Sequence, residues 1–382
     1  MAKSRPDIIL IVISTALAAF GTLMVYSASA MHAQRETAGA TQFTYFYKQL
    51  GFTVFGLVAM YLISRVDHRR YQNPLVVYSL MTVTVIFLLA VFAFPEINGA
   101  QRWIRFGAFS FQPSEMAKIT LPIFLAYFLT RNADRVGEIR ATVLPCVGAM
   151  LLFCGLVALE PDLGTALVLA AIFSCVYFAA GAKMLHVFAV GGAMAAVAGA
   201  MVLLAPWRLQ RMMAFLDPFA HSDDAGYQVV QSLYAIGSGG IFGEGFARGQ
   251  QKLFYLPYPY SDFIFSVVGE EFGLLGTLSV VLAFGVILWR GAMIAINAAD
   301  RFGMLLAIGL VTGIIVQALF NISVVISILP AKGIPLPFIS YGGSSVVFTL
   351  AAVGILLNIS RGGGEKKQQE LPEKPIRRLD PE

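Results

Sequence analysis

Asp262 stands where a polar segment meets an apolar run, in PYPYSDFIFSVVGEEFG (residues 257–273), and Glu270 and Glu271 follow deeper in that run. Carboxylates are costly in hydrocarbon, so each needs a reason to be there. Asp262, with Ser261 before it, can cap the following helix by accepting its orphan N–H groups, which would keep it ionised. It can equally act as a general base at a membrane surface, where water and a lipid-linked substrate both reach it. The two roles are compatible. Glu270 and Glu271 are about 100° apart around a helix, so at least one faces protein or a cavity. Structural ion-pair partner and functional acid both stay open for them.

A second group is cationic. QRWIRFGAFSFQPSEMAKI carries Arg102, Trp103 and Arg105, then Glu115 and Lys118 at i, i+3 on a helix that starts near Pro113. Three cations and an aromatic near one opening suit a diphosphate or an acidic sugar lipid. A structural Glu115–Lys118 pair and simple headgroup binding are the plainer alternatives. Lys332 is the only charge in LPAKGIPLPFISYGGSS, whose prolines and glycines deny a continuous helix. The glycine-rich IGSGGIFGEG matches neither a dinucleotide fingerprint nor a P-loop, which argues against a nucleotide site. Cys146, Cys154 and Cys175 fall in apolar runs, and the four histidines make no metal-ligand spacing.

The elements that must position these residues are membrane helices. Of 382 residues, 58% are hydrophobic and 13% charged, against about 25% charged in a soluble domain. Apolar runs at 8–29, 49–66, 74–94, 115–131, 142–159, 163–181, 185–205, 263–289, 302–328 and 338–360 predict an all-α polytopic membrane protein of about ten helices. The first run is too long for a signal-peptide core, despite an Ala28-Ser29-Ala30 site after it. With the N-terminus inside, inner segments hold 17 Lys and Arg and outer segments nine. That bias favours cytoplasmic termini and explains the net charge of +5 without nucleic acid. Residues 206–262 form an outer connection too long to be a simple loop. Within it, Val229, Val230, Leu233 and Ile236 predict a re-entrant or interfacial helix. Residues 361–382 read as a disordered cytoplasmic tail beside a transmembrane domain over 1–360.

GTLMVYSASA, QRWIRFGAFSFQPSEMAK, LEPDLGTA, GYQVVQSLYAIGSGGIFGEG, DFIFSVVGEEFGLLG and LPAKGIPLPFISYGGSS together resemble the SEDS family (shape, elongation, division and sporulation), which includes FtsW, RodA and SpoVE. QKLFYLP followed by SVVGEEFG is more similar to the FtsW branch, whereas YPYSDF departs from the acidic and histidine residues often found there. The resemblance implies a peptidoglycan glycosyltransferase polymerising lipid II at the outer face of the bacterial cytoplasmic membrane, for division and at the septum. A lipid II flippase, a RodA-like elongation polymerase and an inactive scaffold are the alternatives. It implies a class B penicillin-binding protein, other divisome membrane proteins and membrane lipid as partners. It places the essential loop aspartate on Asp262, substrate contacts on Arg102, Trp103, Arg105, Glu115, Lys118 and Lys332, and a structural or cavity network on Glu270 and Glu271. The leaving diphosphate would be held by Arg102, Arg105 and Lys118, with or without a divalent cation such as Mg or Mn.

Overall fold

In the computed structural model, which describes residues 6–96, 100–106, 109–203, 205–224 and 226–369, every apolar run is a helix. They are α1 (Ile8–Glu36), α2 (Thr44–Arg65), α3 (Pro74–Ala90), α4 (Pro113–Arg131), α5 (Leu144–Leu159), α6 (Leu163–Ala179) and α7 (Met184–Leu203). After α8 (Pro206–Leu216) and α9 (Tyr227–Ser238) in the long connection come α10 (Ile264–Ile296), α11 (Arg301–Val325) and α12 (Gly343–Gln369). A two-stranded hairpin, β1 (Ile104–Phe106) and β2 (Phe109–Phe111), is the one described departure from the all-helical expectation, with Arg105 opposite Ser110. α12 continues nine residues into the expected tail, and residues 370–382 lie outside the described residues.

Among the described residues, seven helices are long and apolar enough to cross a membrane by themselves; α4 and α6 fall short of that. Burial explains part of the shortfall. α6, of 17 residues, packs Val168, Leu169, Ile172, Phe173 and Val176 inside the bundle rather than against lipid. α11 and α12 are the centre, with 72% and 78% of their spans buried, while α2 and α3, at 22%, turn broad apolar faces outward. Exposed Phe55, Leu62, Leu75, Ile86, Leu89 and Leu282 extend the apolar face that a bilayer covers.

One end of the bundle carries both described chain ends. The Asp7 N–H donates to Ser360 Oγ at 3.2 Å, and its carboxylate caps α1 and pairs with Arg290. Beside them His68 is buried with its Nδ1 3.0 Å from Asn358 Oδ1 and its Nε2 3.4 Å from Asp300 Oδ2. Asn358 donates through Nδ2 to Ser64, which fixes its Oδ1 as an acceptor, so both imidazole nitrogens face acceptors. Burial opposes the charge, but Asp300, Asn358 and Asp67 outweigh it and raise the His68 pKa above the ordinary 6.5. Arg69 shares Asp300. The His68 contribution is therefore complete below pH 6.5 and lost as pH rises through the raised value. Thermal unfolding in detergent should weaken from pH 6.5 upward, and His68→Gln should flatten that slope; an unchanged slope would refute the charged-histidine reading.

The opposite end carries the long connection, and there α10 is broken. Gly273 (φ +63°, ψ −157°) leaves the helix, so α10 is two helices meeting at a kink. The break leaves backbone groups unserved, which a membrane interior penalises. The glycine-rich stretch of the connection serves them. Glu244 and Gly245 donate N–H to the Glu270 and Glu271 carbonyls (2.9 and 3.0 Å), while Leu274 and Leu275 donate to the Gly240 and Ile241 carbonyls (2.9 and 3.2 Å). Gly243, at φ +81°, lies so close to the Glu271 backbone that a Cβ has no room. The glycines therefore serve backbone pairing, with no phosphate loop needed to explain them.

Candidate active site at the α10 entrance

Asp262 lies two residues before α10, and it does not cap the helix. Phe263 occupies the N-cap position, and no side chain caps the first turn. The carboxylate turns instead towards the 330s segment: a Cβ on Gly333 would lie 2.7 Å from Asp262 Oδ2. Burial pushes the Asp262 pKa up from 3.8 to about 6, while Arg102 and, more weakly, Arg211 pull it back. The sequence reading of a cap-lowered acidity is thus reversed, because the helix end offers this carboxylate no N–H donors.

Beside Asp262 opens a cleft lined by Arg102, Asp162, Arg211, Lys332 and Gly333, with Leu163, Gly164 and Ile334 among its apolar walls. Each charged residue comes from a different element. Arg102 precedes β1 and is aimed by bonds to the Glu160 and Pro161 carbonyls (3.1 and 2.6 Å). Arg211 comes from α8 and Lys332 from the non-helical segment between α11 and α12. Asp162 caps α6 through Thr165 N–H (3.1 Å), accepts from the Thr165 hydroxyl (2.9 Å) and meets Gln112 Nε2 at 3.3 Å. Its oxygens are spent on structure. Neighbouring Glu160 is buried, its two carboxyl oxygens make no protein hydrogen bond, and burial first, then Asp162, pushes its pKa to about 9. It is therefore neutral at pH 7, which removes a negative charge from the cationic wall.

The remaining sequence candidates lie elsewhere. Trp103 is half-buried and Arg105 is exposed on β1, and neither lines the cleft. Glu115 and Lys118 do pair, at 2.7 Å, but inside the bundle between α4, α11 and α12. Lys118 also donates to Gln317 Oε1, and Gln317 Nε2 holds the Pro335 carbonyl at 2.8 Å. One turn further along α11, Asn321 Nδ2 donates to the Asp262 and Ile334 carbonyls, both at 2.7 Å. The pair thus props the segment that presents Lys332 and Gly333 to Asp262. Glu270 and Glu271 are both buried and both structural in their contacts. Glu270 accepts from the Gln250 and Gln251 N–H groups (2.5 and 3.0 Å). Glu271 pairs with Lys252 and accepts from Ser27 of α1, each at 2.5 Å.

The sequence matches the FtsW/RodA/SpoVE family, described as cell cycle protein, over residues 7–364. The chain belongs to that family. Family relatives include stage V sporulation protein E of Bacillus subtilis, 39% identical over 365 residues, covering 94% of this chain and 98% of that one. The probable peptidoglycan glycosyltransferase FtsW of Trichlorobacter lovleyi is 39% identical over 361 residues, 93% of each chain. Among solved structures, a chain of a peptidoglycan synthase complex superposes with a TM-score of 0.76 at 27% identity, over 94% of this chain and 98% of that one. The family member RodA of Thermus thermophilus gives 0.68 at 27% identity, over 93% and 97%.

Two cleft residues, Arg211 and Asp162, were not singled out from sequence. Arg211 had a readable signal, since PWRLQRMMAFL sets Arg208 and Arg211 at helical spacing within an apolar segment. No three His, Cys, Asp or Glu converge as metal ligands among the described residues. Two carboxylates among three cations do not make a cage for a divalent ion. An anionic group entering the cleft is met by Arg102, Arg211 and Lys332.

Proposed function

We propose that this chain is a peptidoglycan glycosyltransferase that polymerises lipid II at the outer face of the cytoplasmic membrane. The observation that carries it is the Asp262 carboxylate turned against Gly333, beside a cleft with three cations from separate elements. The names borne by its FtsW relatives support the activity, and the excess of Lys and Arg on the end bearing both termini supports the orientation. A class B penicillin-binding protein is the proposed partner, supported by the likeness to a chain of a synthase complex. Other divisome membrane proteins and a septal location are proposed with it on the FtsW likeness.

The chemistry is one displacement. Asp262 takes the proton of the acceptor sugar hydroxyl as its oxygen attacks the anomeric carbon of the lipid-linked chain. The bond from that carbon to the diphosphate oxygen breaks, and the electron pair leaves on the diphosphate. Arg102, Arg211 and Lys332 stabilise the charge that develops there. One base and an electrostatic clamp suffice, and no second carboxylate acts as nucleophile. Arg105 and Lys118, expected from the sequence at the leaving group, lie outside this clamp; Lys118 supports it through Gln317.

The test is purified chain with labelled lipid II, with and without a class B penicillin-binding protein, resolved as polymer on a gel. Glycan strands are expected. If none form even with the partner present, while the chain moves lipid II across a liposome bilayer, the polymerase reading gives way to a transporter.

A further inference from the structure

Near Asp262 and outside the cationic cleft, three tyrosines from three elements converge. Tyr45 of α2, Tyr260 of the long connection and Tyr341 of the segment before α12 pack with ring centroids 4.8, 5.1 and 5.8 Å apart. His32 of α1 closes one edge, 5.6 Å from Tyr260, and Phe254 lies behind it. Each tyrosine is only partly covered. Their backbones are pinned: Tyr341 N–H donates to the Tyr260 carbonyl at 2.8 Å, and Ser340 Oγ to the Ser261 carbonyl at 2.6 Å. The Tyr45 hydroxyl donates to Glu36 at 2.8 Å, which puts a carboxylate on the rim. Tyr260 is two residues from Asp262 and within its electrostatic reach, and none of the three lines the cationic cleft.

Half-covered rings with hydroxyl and carboxylate acceptors at their edge are the chemistry that holds a pyranose. The C–H face of the sugar covers the ring, and its hydroxyls find the polar rim. The cationic wall, by contrast, suits a diphosphate. From this division we infer that Tyr45, Tyr260 and Tyr341 form a shelf for neutral β-linked sugar rings, presenting the acceptor hydroxyl to Asp262. The inference rests on the glycosyltransferase reading for its role, while sugar binding itself does not depend on that reading. The tyrosines are positioning residues: they hold the acceptor and exchange no proton with it.

Two measurements separate the claims. The first titrates the purified full-length chain with chitotetraose, a soluble β-1,4-linked N-acetylated probe, by saturation-transfer difference NMR. The native chain should bind it, Tyr341→Ala should bind about tenfold more weakly, and Tyr341→Phe, which keeps the ring, should recover most of the affinity. The second measures strand length and the acceptor KM with labelled lipid II. Tyr341→Ala should shorten strands and raise KM about tenfold more than it lowers kcat. Polymer from the native chain without probe binding, and with unchanged strand length in Tyr341→Ala, would overturn the shelf and leave the polymerase intact. Absence of polymer with ring-dependent probe binding would overturn the polymerase and leave a glycan-binding shelf. A lowered melting temperature in Tyr341→Ala with native affinity and KM would reduce the three rings to packing and overturn the inference.

Discussion

Asp262→Asn should lower polymerisation by about 10²–10⁴-fold, the range for removing a positioned proton acceptor, while melting no lower than the native chain. The second half follows from the sign of the acidity shift. Burial raises the Asp262 pKa from 3.8 to about 6, so the folded chain holds this proton more tightly than the unfolded chain does. The ionised carboxylate therefore costs stability above that window, and native stability rises as pH falls from about 6 towards 3.8. An amide carries no such cost. Activity runs the other way: the native rate should fall about tenfold per unit as pH drops below 6, with the base form. A gel assay across pH 5–8 beside thermal unfolding at pH 7.5 checks both halves. A folded Asn variant that polymerises at the native rate would remove Asp262 from the chemistry.

The second large effect is expected far from any proton transfer. Glu271 and Lys252 are 0% and 6% exposed, and Lys252 also donates to Ser27 Oγ at 2.8 Å. Glu271→Ala leaves a buried ammonium opposite a hydroxyl, which should destabilise the fold by about 3–5 kcal/mol. Replacing both residues, Lys252→Met with Glu271→Leu, should recover most of that loss, since an apolar pair of similar size is often as stable as a buried ion pair. Thermal unfolding of Glu271→Leu, Lys252→Met and the double closes the cycle, with Glu271→Ala beside them. Equal losses in the double and in Glu271→Ala would mean that the pair is not what joins the connection to α1 and α10.

The helices were legible because a span needs about twenty apolar residues, and that signal is local. The Glu115–Lys118 pair was legible for the same reason, since three residues along a helix fix a shared face. What that pair faces was not: its Gln317 partner is 199 positions away. The placement of Asp262 at a helix entrance was readable, yet its capping role failed, because whether a carboxylate turns inward or outward depends on Gly333, which the sequence sets 71 positions later. Arg105 and Trp103 share a short motif with Arg102, but β1 and its approach disperse the three side chains and only Arg102 reaches the cleft. Glu270 and Glu271 read as a problem in isolation. Their answer, backbone donors from residues 250 and 251 and the Lys252 ammonium, is a long-range pairing that no spacing rule announces.

The mended break in α10 also bears on how the chain is made. Glu270 and Glu271 carbonyls and Leu274 and Leu275 N–H groups would each be costly if carried open into lipid. Residues 239–245, which satisfy all four, precede them in the sequence and so leave the ribosome first. When the kinked helix emerges, its complement already exists. The order of synthesis supplies the donors and acceptors before the helix that needs them, and the reverse order would ask a membrane to admit a helix with a gap in it.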